Sequence, residues 1–230
     1  IVGPNVNLEG ANLTDANLTG VDLTGVTSGG INGTPTLPTG YSLISGYIVG
    51  PNVNLDGANL TDADLGGVNL TGATLNGVTS GNIAGNPTLP YGYSLINDYI
   101  VGPNVNLTGA NLTGKNLDGV NLTGATLNGV KSGGIAGTPT LPFGYKMINN
   151  YIVGPYVNLE GANLTGADLF GISLDGATYN SDTTGLTDEQ KLVMISNEPG
   201  ATGSKISNGS YILNWTSHPS NLLINANPLI

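Results

Sequence analysis

Leucine returns every fifth residue over positions 8–23, 55–75, 107–127 and 159–174, and no other feature constrains the fold as tightly. A helix burying one face wants apolar residues three and four apart, and a half-buried strand wants them two apart. A strict five fits neither. It fits short straight segments joined by regular corners, each segment turning one Leu inward. Two places before the Leu stands Ala, Val or Ile in 17 of the 18 beats, Lys115 being the exception. Two places after it stands Gly in 16, which marks a corner of positive φ such as a type II turn.

The beats are grouped into longer units. IVGPNVNL begins at Ile1, Ile48 and Ile100 and IVGPYVNL at Ile152, with spacings of 47, 52 and 52, the first unit being one pentapeptide short. Between the blocks runs a second repeated module, VTSGGINGTPTLPTGYSLISGY, VTSGNIAGNPTLPYGYSLINDY and VKSGGIAGTPTLPFGYKMINNY. Its Gly and Pro predict turns, followed by a strand in GYSLINDYIV. Two arrangements stay open for it: a hairpin-like side lobe, or an irregular wall of a coil.

The organisation read from this pattern is a repeat region 1–179, with units 1–47, 48–99, 100–151 and 152–179, followed by a segment 180–230 that caps or assembles. In that segment Thr187 and Gln190 form a capping box that opens a short helix in TDEQKLVMIS, and SYILNW and NLLINANPLI read as strands. Stacked coils leave an open edge at each end, so a cap is expected at the C-terminal one.

Tandem A(N/D)LxG of this kind resembles the pentapeptide-repeat family over most of residues 1–179, with the linker modules departing from the plain family pattern. The resemblance implies an all-β fold, a right-handed quadrilateral β-helix with four pentapeptides per coil and the Leu and preceding small residue facing inward. Burying one Leu contributes about 1.5–3 kcal/mol, so the Leu column is core rather than a binding stripe. Lys115 takes a place where the family wants a small inward residue. Because a buried lysine needs a partner or loses its charge, its stem is expected to leave through a corner or toward a linker.

Composition narrows the chemistry. With 39% hydrophobic and 9% charged residues the chain lies outside the signature of disorder. Its charge of −10, with five Lys and no Arg, disfavours nucleic-acid binding, which needs clustered cations. No apolar run approaches the roughly 20 residues of a membrane-spanning helix. Without Cys there is no disulfide framework and no thiolate metal site. The sole imidazole, His218 in SHPS, reads as an exposed loop residue. Paired acids can hold calcium or hydrolyse glycosides, yet Asp62 with Asp64 and Asp188 with Glu189 read as solvated turn residues. No catalytic residue, metal ligand or cofactor is assigned, and the chain reads as a non-enzyme. It begins with Ile1 rather than Met, which fits either a removed leader or a fragment.

N-x-S/T triplets occur at Asn12, Asn17, Asn32, Asn59, Asn69, Asn106, Asn111, Asn121, Asn163, Asn208 and Asn214. Their Asn is expected to point outward, where it can accept a glycan in an exported protein from a glycosylating host. Solvent-facing Asn and Thr ladders also stabilise stacked coils without modification.

Three functions compete. The first is an extracellular or cell-surface structural and adhesive subunit that polymerises with itself head to tail. Leu223, Ile224 and Asn225 align with Leu95, Ile96 and Asn97, so a C-terminal strand containing Leu222, Leu223, Ile224, Leu229 and Ile230 is expected to dock beside Ile1 and Val2 of the next molecule. The simpler alternative folds that tail onto its own last coil. The second function is DNA mimicry toward a type II topoisomerase, which the resemblance suggests for some relatives. Against it, Glu9, Asp22, Asp64, Asp118 and Asp168 are scattered among neutral Asn and Thr. The third is ice or carbohydrate binding on a Thr and Asn face, with surface glycans as partners; Gly66, Asn76, Asp118 and Phe170 interrupt its Thr column.

Overall fold

The structure is a computed structural model and describes residues 2–197, 202–205 and 211–214. The five-residue beat becomes a straight pair of residues and a corner. At the first corner Ala11 N–H donates to the Leu8 carbonyl at 3.0 Å, closing a four-residue turn whose third residue, Gly10, has φ 65°. That is the geometry of a type II turn. The two beats that lack Gly at this place use Asp15 and Asp62, with φ of 57° and 60°. A short polar side chain tolerates the left-handed region better than any other non-Gly residue, so the corner survives.

After four beats the chain returns to lie parallel to itself. Asn7 pairs with Thr27, Asn12 with Asn32, Asn59 with Thr79 and Asn111 with Lys131, each twenty residues apart. Every straight segment is only long enough for one such bridge. Between the coils the β-structure is therefore a set of isolated parallel bridges, and the fold is of β-helix type with little helix. All 18 Leu of the beat are buried, from Leu13 at 8% exposure to Leu65 and Leu122 at 0%, and they fall into two core clusters, one running from Leu8 to Ile48 and a larger one from Val49 to Met194.

The linker modules do two things in succession. Their first half continues the coil, with Asp64 pairing with Ala84 and Asn69 with Thr88. The second half is not the single strand expected of GYSLINDYIV but a two-stranded antiparallel hairpin. The hairpins are β1 (Ser42–Ile44) with β2 (Tyr47–Val49), β3 (Ser94–Ile96) with β4 (Tyr99–Val101), and β5 (Lys146–Ile148) with β6 (Tyr151–Val153). Asn97 and Asp98, with φ of 50° and 62°, and Asn149 and Asn150, with 47° and 63°, make two-residue turns of the type I′ class. That turn matches the twist of paired strands, which is why the segment doubles back rather than running straight.

Pairing continues past Tyr179. Asn163 pairs with Thr184, and β7 (Thr178–Tyr179) pairs parallel with β8 (Ile195–Ser196). Between them lies α1 (Asp188–Lys191), opened by the expected capping box: Thr187 Oγ1 accepts from Gln190 N–H, and Gln190 Oε1 accepts from Thr187 N–H. The strands β9 (Thr202–Lys205) and β10 (Tyr211–Asn214) pair antiparallel. The segment NLLINANPLI lies outside the described residues.

Candidate functional site

Each hairpin is held by a buried serine of the preceding coil and by two tyrosines. Ser28, Ser80 and Ser132 are buried, and their hydroxyls accept the backbone N–H of Ile48, Ile100 and Ile152 at 2.8–2.9 Å. Tyr41, Tyr93 and Tyr145 lay their rings against Gly50, Gly102 and Gly154, where a Cβ would stand 2.3 Å from the ring. These glycines occupy the place that Leu holds in an ordinary beat, so the ring supplies the missing core volume. The phenol hydroxyls reach the carbonyls of Pro51, Pro103 and Pro155 at 3.1–3.2 Å. Burial raises the hydroxyl pKa of all three. The negative charge of Asp22 adds to the shift at Tyr41, that of Asp56 at Tyr93, and Tyr156 contributes at Tyr145. A second ring, Tyr47, Tyr99 or Tyr151, lies over Gly29, Gly81 or Gly133.

The N-terminal coil lacks this arrangement. Gly3 is the counterpart of Gly50, Gly102 and Gly154, yet a Cβ there would meet nothing within 4 Å. Val2 and Val6 are half-buried, whereas Val49, Val101, Val53 and Val105 are at 0–1% exposure. Ala11, Ala16 and Val21, in the next three beats, are likewise half-buried, as are Val68, Val120 and Ile172 in later units. Among the described residues, the outer face of the first coil is an apolar surface without cover. Of the residues predicted for an assembly interface, Val2 stands on that face. Ile1, Leu222, Leu223, Ile224, Leu229 and Ile230 lie outside the described residues.

On the flanks, the Asn or Asp before most of the Leu has a structural task that sequence reasoning missed. The side-chain oxygens of Asn12, Asn17, Asn59, Asn69, Asn111, Asn121 and Asn163 accept the backbone N–H two residues on, at 2.9–3.1 Å. Asp22, Asp64 and Asp168 do the same at 2.9–3.0 Å. These Asx turns preorganise each corner, which explains the preference for Asn or Asp at this place. The N-x-T triplets thus follow from corner chemistry. Asn12, Asn17, Asn32, Asn59, Asn69, Asn111, Asn121 and Asn163 are exposed, Asn106 is half-buried, and Asn208 lies outside the described residues. Asn214 ends β10. The backbone N–H of Thr24, with its hydroxyl, holds the Asp22 carboxyl below its ordinary range.

The acid pairs also have local tasks. Asp62 takes the Nδ2–H of Asn82 at 2.9 Å, and Asp188 and Glu189 sit in the first turn of α1, with Lys191 3.8 Å from Asp188. Among the described residues no group of three His, Asp or Glu side chains is placed to hold a metal ion, and no helix is long and apolar enough to cross a membrane. Lys115 is half-buried in its beat, and His218 lies outside the described residues.

The family model for pentapeptide repeats matches residues 4–27, 51–78 and 104–131, in eight copies. Among curated proteins, no relative matches the chain.

Proposed function

This chain belongs to the pentapeptide-repeat family, whose members are generally non-enzymatic structural or binding proteins, and from that membership we propose a structural, adhesive subunit that joins end to end into fibres. Its coils are four-sided and right-handed: the return of the chain after four beats supports the four sides, and the family resemblance supports the hand. The single observation that carries the reading is the apolar surface of the first coil, where, among the described residues, Gly3 has nothing against it and Val2 and Val6 are half-buried while Val49, Val53, Val101 and Val105 are at 0–1% exposure. The occupant is the C-terminal segment of a second copy, whose Leu223, Ile224 and Asn225 repeat the Leu95, Ile96 and Asn97 of a hairpin that does cover a coil. A contact between two different surfaces propagates, so the product is a fibre. A low charge content and many Gly, Asn and Thr suit an extracellular or cell-surface setting, where the exposed sequons are glycan acceptors.

The DNA-mimic reading gains nothing from the flanks, because Asp22, Asp64 and Asp168 spend an oxygen on their own corners instead of forming a dense anionic face. Electron microscopy of the intact chain beside one lacking Ser207 to Ile230 tests the proposal. Fibres in the first that vanish in the second are expected. Single monodisperse particles in the intact sample would sink end-to-end joining and make the tail an ordinary cap.

A further inference from the structure

The hairpin-bearing modules differ most visibly at one place, the tip of LPxGY. There Tyr41 N–H donates to the Pro38 carbonyl at 3.1 Å, and Tyr93 and Tyr145 repeat the bond to Pro90 and Pro142 at 3.2 Å. The glycine of each turn has φ of 87–91°. The residue before it is Thr39, Tyr91 or Phe143, and the two aromatic rings are fully exposed, at 104% and 105%. The first module builds the same turn with Thr39, so the fold has no need of an aromatic ring at this position. A bare ring in water forgoes the burial that usually accounts for an aromatic residue.

We propose that the tip of the third module is a carbohydrate-binding site, with a pyranose ring stacked on Phe143. Beside this ring lies an open hollow of about 330 Å³ between the hairpin and the next repeat, lined by Pro142, Phe143, Lys146, Gly171 and Ile172. Small-ligand sites begin at about this size. Its chemistry is mixed: an aromatic face for the C–H side of a sugar, a Lys146 ammonium for its hydroxyl or carboxylate oxygens, and the flanking apolar Ile172. Phe143 and Lys146 stand in this module where the first has Thr39 and Ser42, so ring and cation occur together. Pro142 and Gly144 fix the turn, and little conformational freedom is lost on binding.

Other occupants fit less well. The hairpins arise on successive columns of the stack: Thr36, Thr88 and Thr140, which precede them, pair with Asn17, Asn69 and Asn121, and each column lies one beat further round than the last. Tyr91 and Phe143 therefore point from different sides and cannot join into the roughly 800 Å² per partner of a stable protein interface. A chain of charge −10 with five Lys is repelled by an anionic bilayer.

Saturation-transfer NMR and titration calorimetry of the 230-residue chain, with cellopentaose, chitopentaose and oligogalacturonate as probes, test the site. Binding of at least one probe is expected, with affinity falling at least tenfold in Phe143→Thr. That variant carries the residue the first module already accommodates, so an unchanged thermal unfolding curve accompanies the loss. Lys146→Ser should weaken oligogalacturonate more than cellopentaose. Silence of all three probes at millimolar concentration, undiminished binding by Phe143→Thr, or Phe143-dependent sedimentation with phosphatidylcholine vesicles instead of sugar would each overturn the proposal.

Discussion

At the scale of the residue, glycine serves this chain in two distinct ways, and substitutions separate them. Gly102 yields its space to the Tyr93 ring, so Gly102→Ala forces backbone or ring to move and should cost about 1–3 kcal/mol in thermal or urea unfolding. Gly3 has the same place in its unit with nothing within 4 Å, and Gly3→Ala should leave the unfolding curve unchanged. The three ring hydroxyls give a pH signature. Their folded pKa values lie above the ordinary 10.0, so neutral phenol is favoured in the fold. Their contribution is fully present below pH 10 and is lost as pH rises through the raised values. Circular dichroism across pH 8 to 12 should show an alkaline transition that flattens when Tyr41, Tyr93 and Tyr145 are all Phe. The same replacements should lower neutral stability by about 1 kcal/mol for each hydrogen bond lost.

At the scale of the element, the coil is a stack of one-residue bridges, so lateral hydrogen bonding and the Leu column must act together. Leu65 is covered on both sides, and Leu65→Ala should cost about 2–5 kcal/mol by chemical denaturation. Leu8 lies in the end coil, where solvent and side chains can relax into the vacated space, and Leu8→Ala should cost visibly less. The coil element was legible because a strict period of five has one economical geometry, and its corner glycines announced their φ. The hairpins were only half legible. Asn97-Asp98 and Asn149-Asn150 are turn-formers, but flanked by SLI and YIV the segment reads as one strand; the left-handed backbone at both turn residues brings the two arms together, and Tyr93 against Gly102 packs their base.

At the scale of the whole molecule, the 52-residue unit takes one beat more than two full returns of the chain. Asn7, Thr27, Asn54 and Thr74 form one ladder, Asn59, Thr79, Asn106 and Thr126 the next, and Asn111, Lys131, Asn158 and Thr178 the third. Each ladder starts one beat later than its predecessor, which carries successive hairpins around the stack. The open end makes a prediction that only the assembled molecule can answer. Val6→Lys places a charge on a half-buried surface and should abolish fibre growth in light scattering while leaving the melting temperature within about a degree. Val105→Lys buries the same charge without a partner and should unfold its region of the coil. Equal melting losses in both variants would show that the first coil is covered in solution.

What the sequence determined by itself is the local rule: Leu inward because it is apolar at a period of five, Asn or Asp before it, and a left-handed corner after it. These are properties of a few adjacent residues, and each of them can be read wherever the beat is written. The tertiary structure decided what distant residues do to one another. It set which Leu face is covered, which tyrosine replaces a missing Leu, and which glycine leaves room for the ring. It also left the rings of Tyr91 and Phe143 in water. These outcomes depend on the offset between coils, a sum over twenty residues or more to which a hairpin adds its own length, and no local window of the sequence contains that sum.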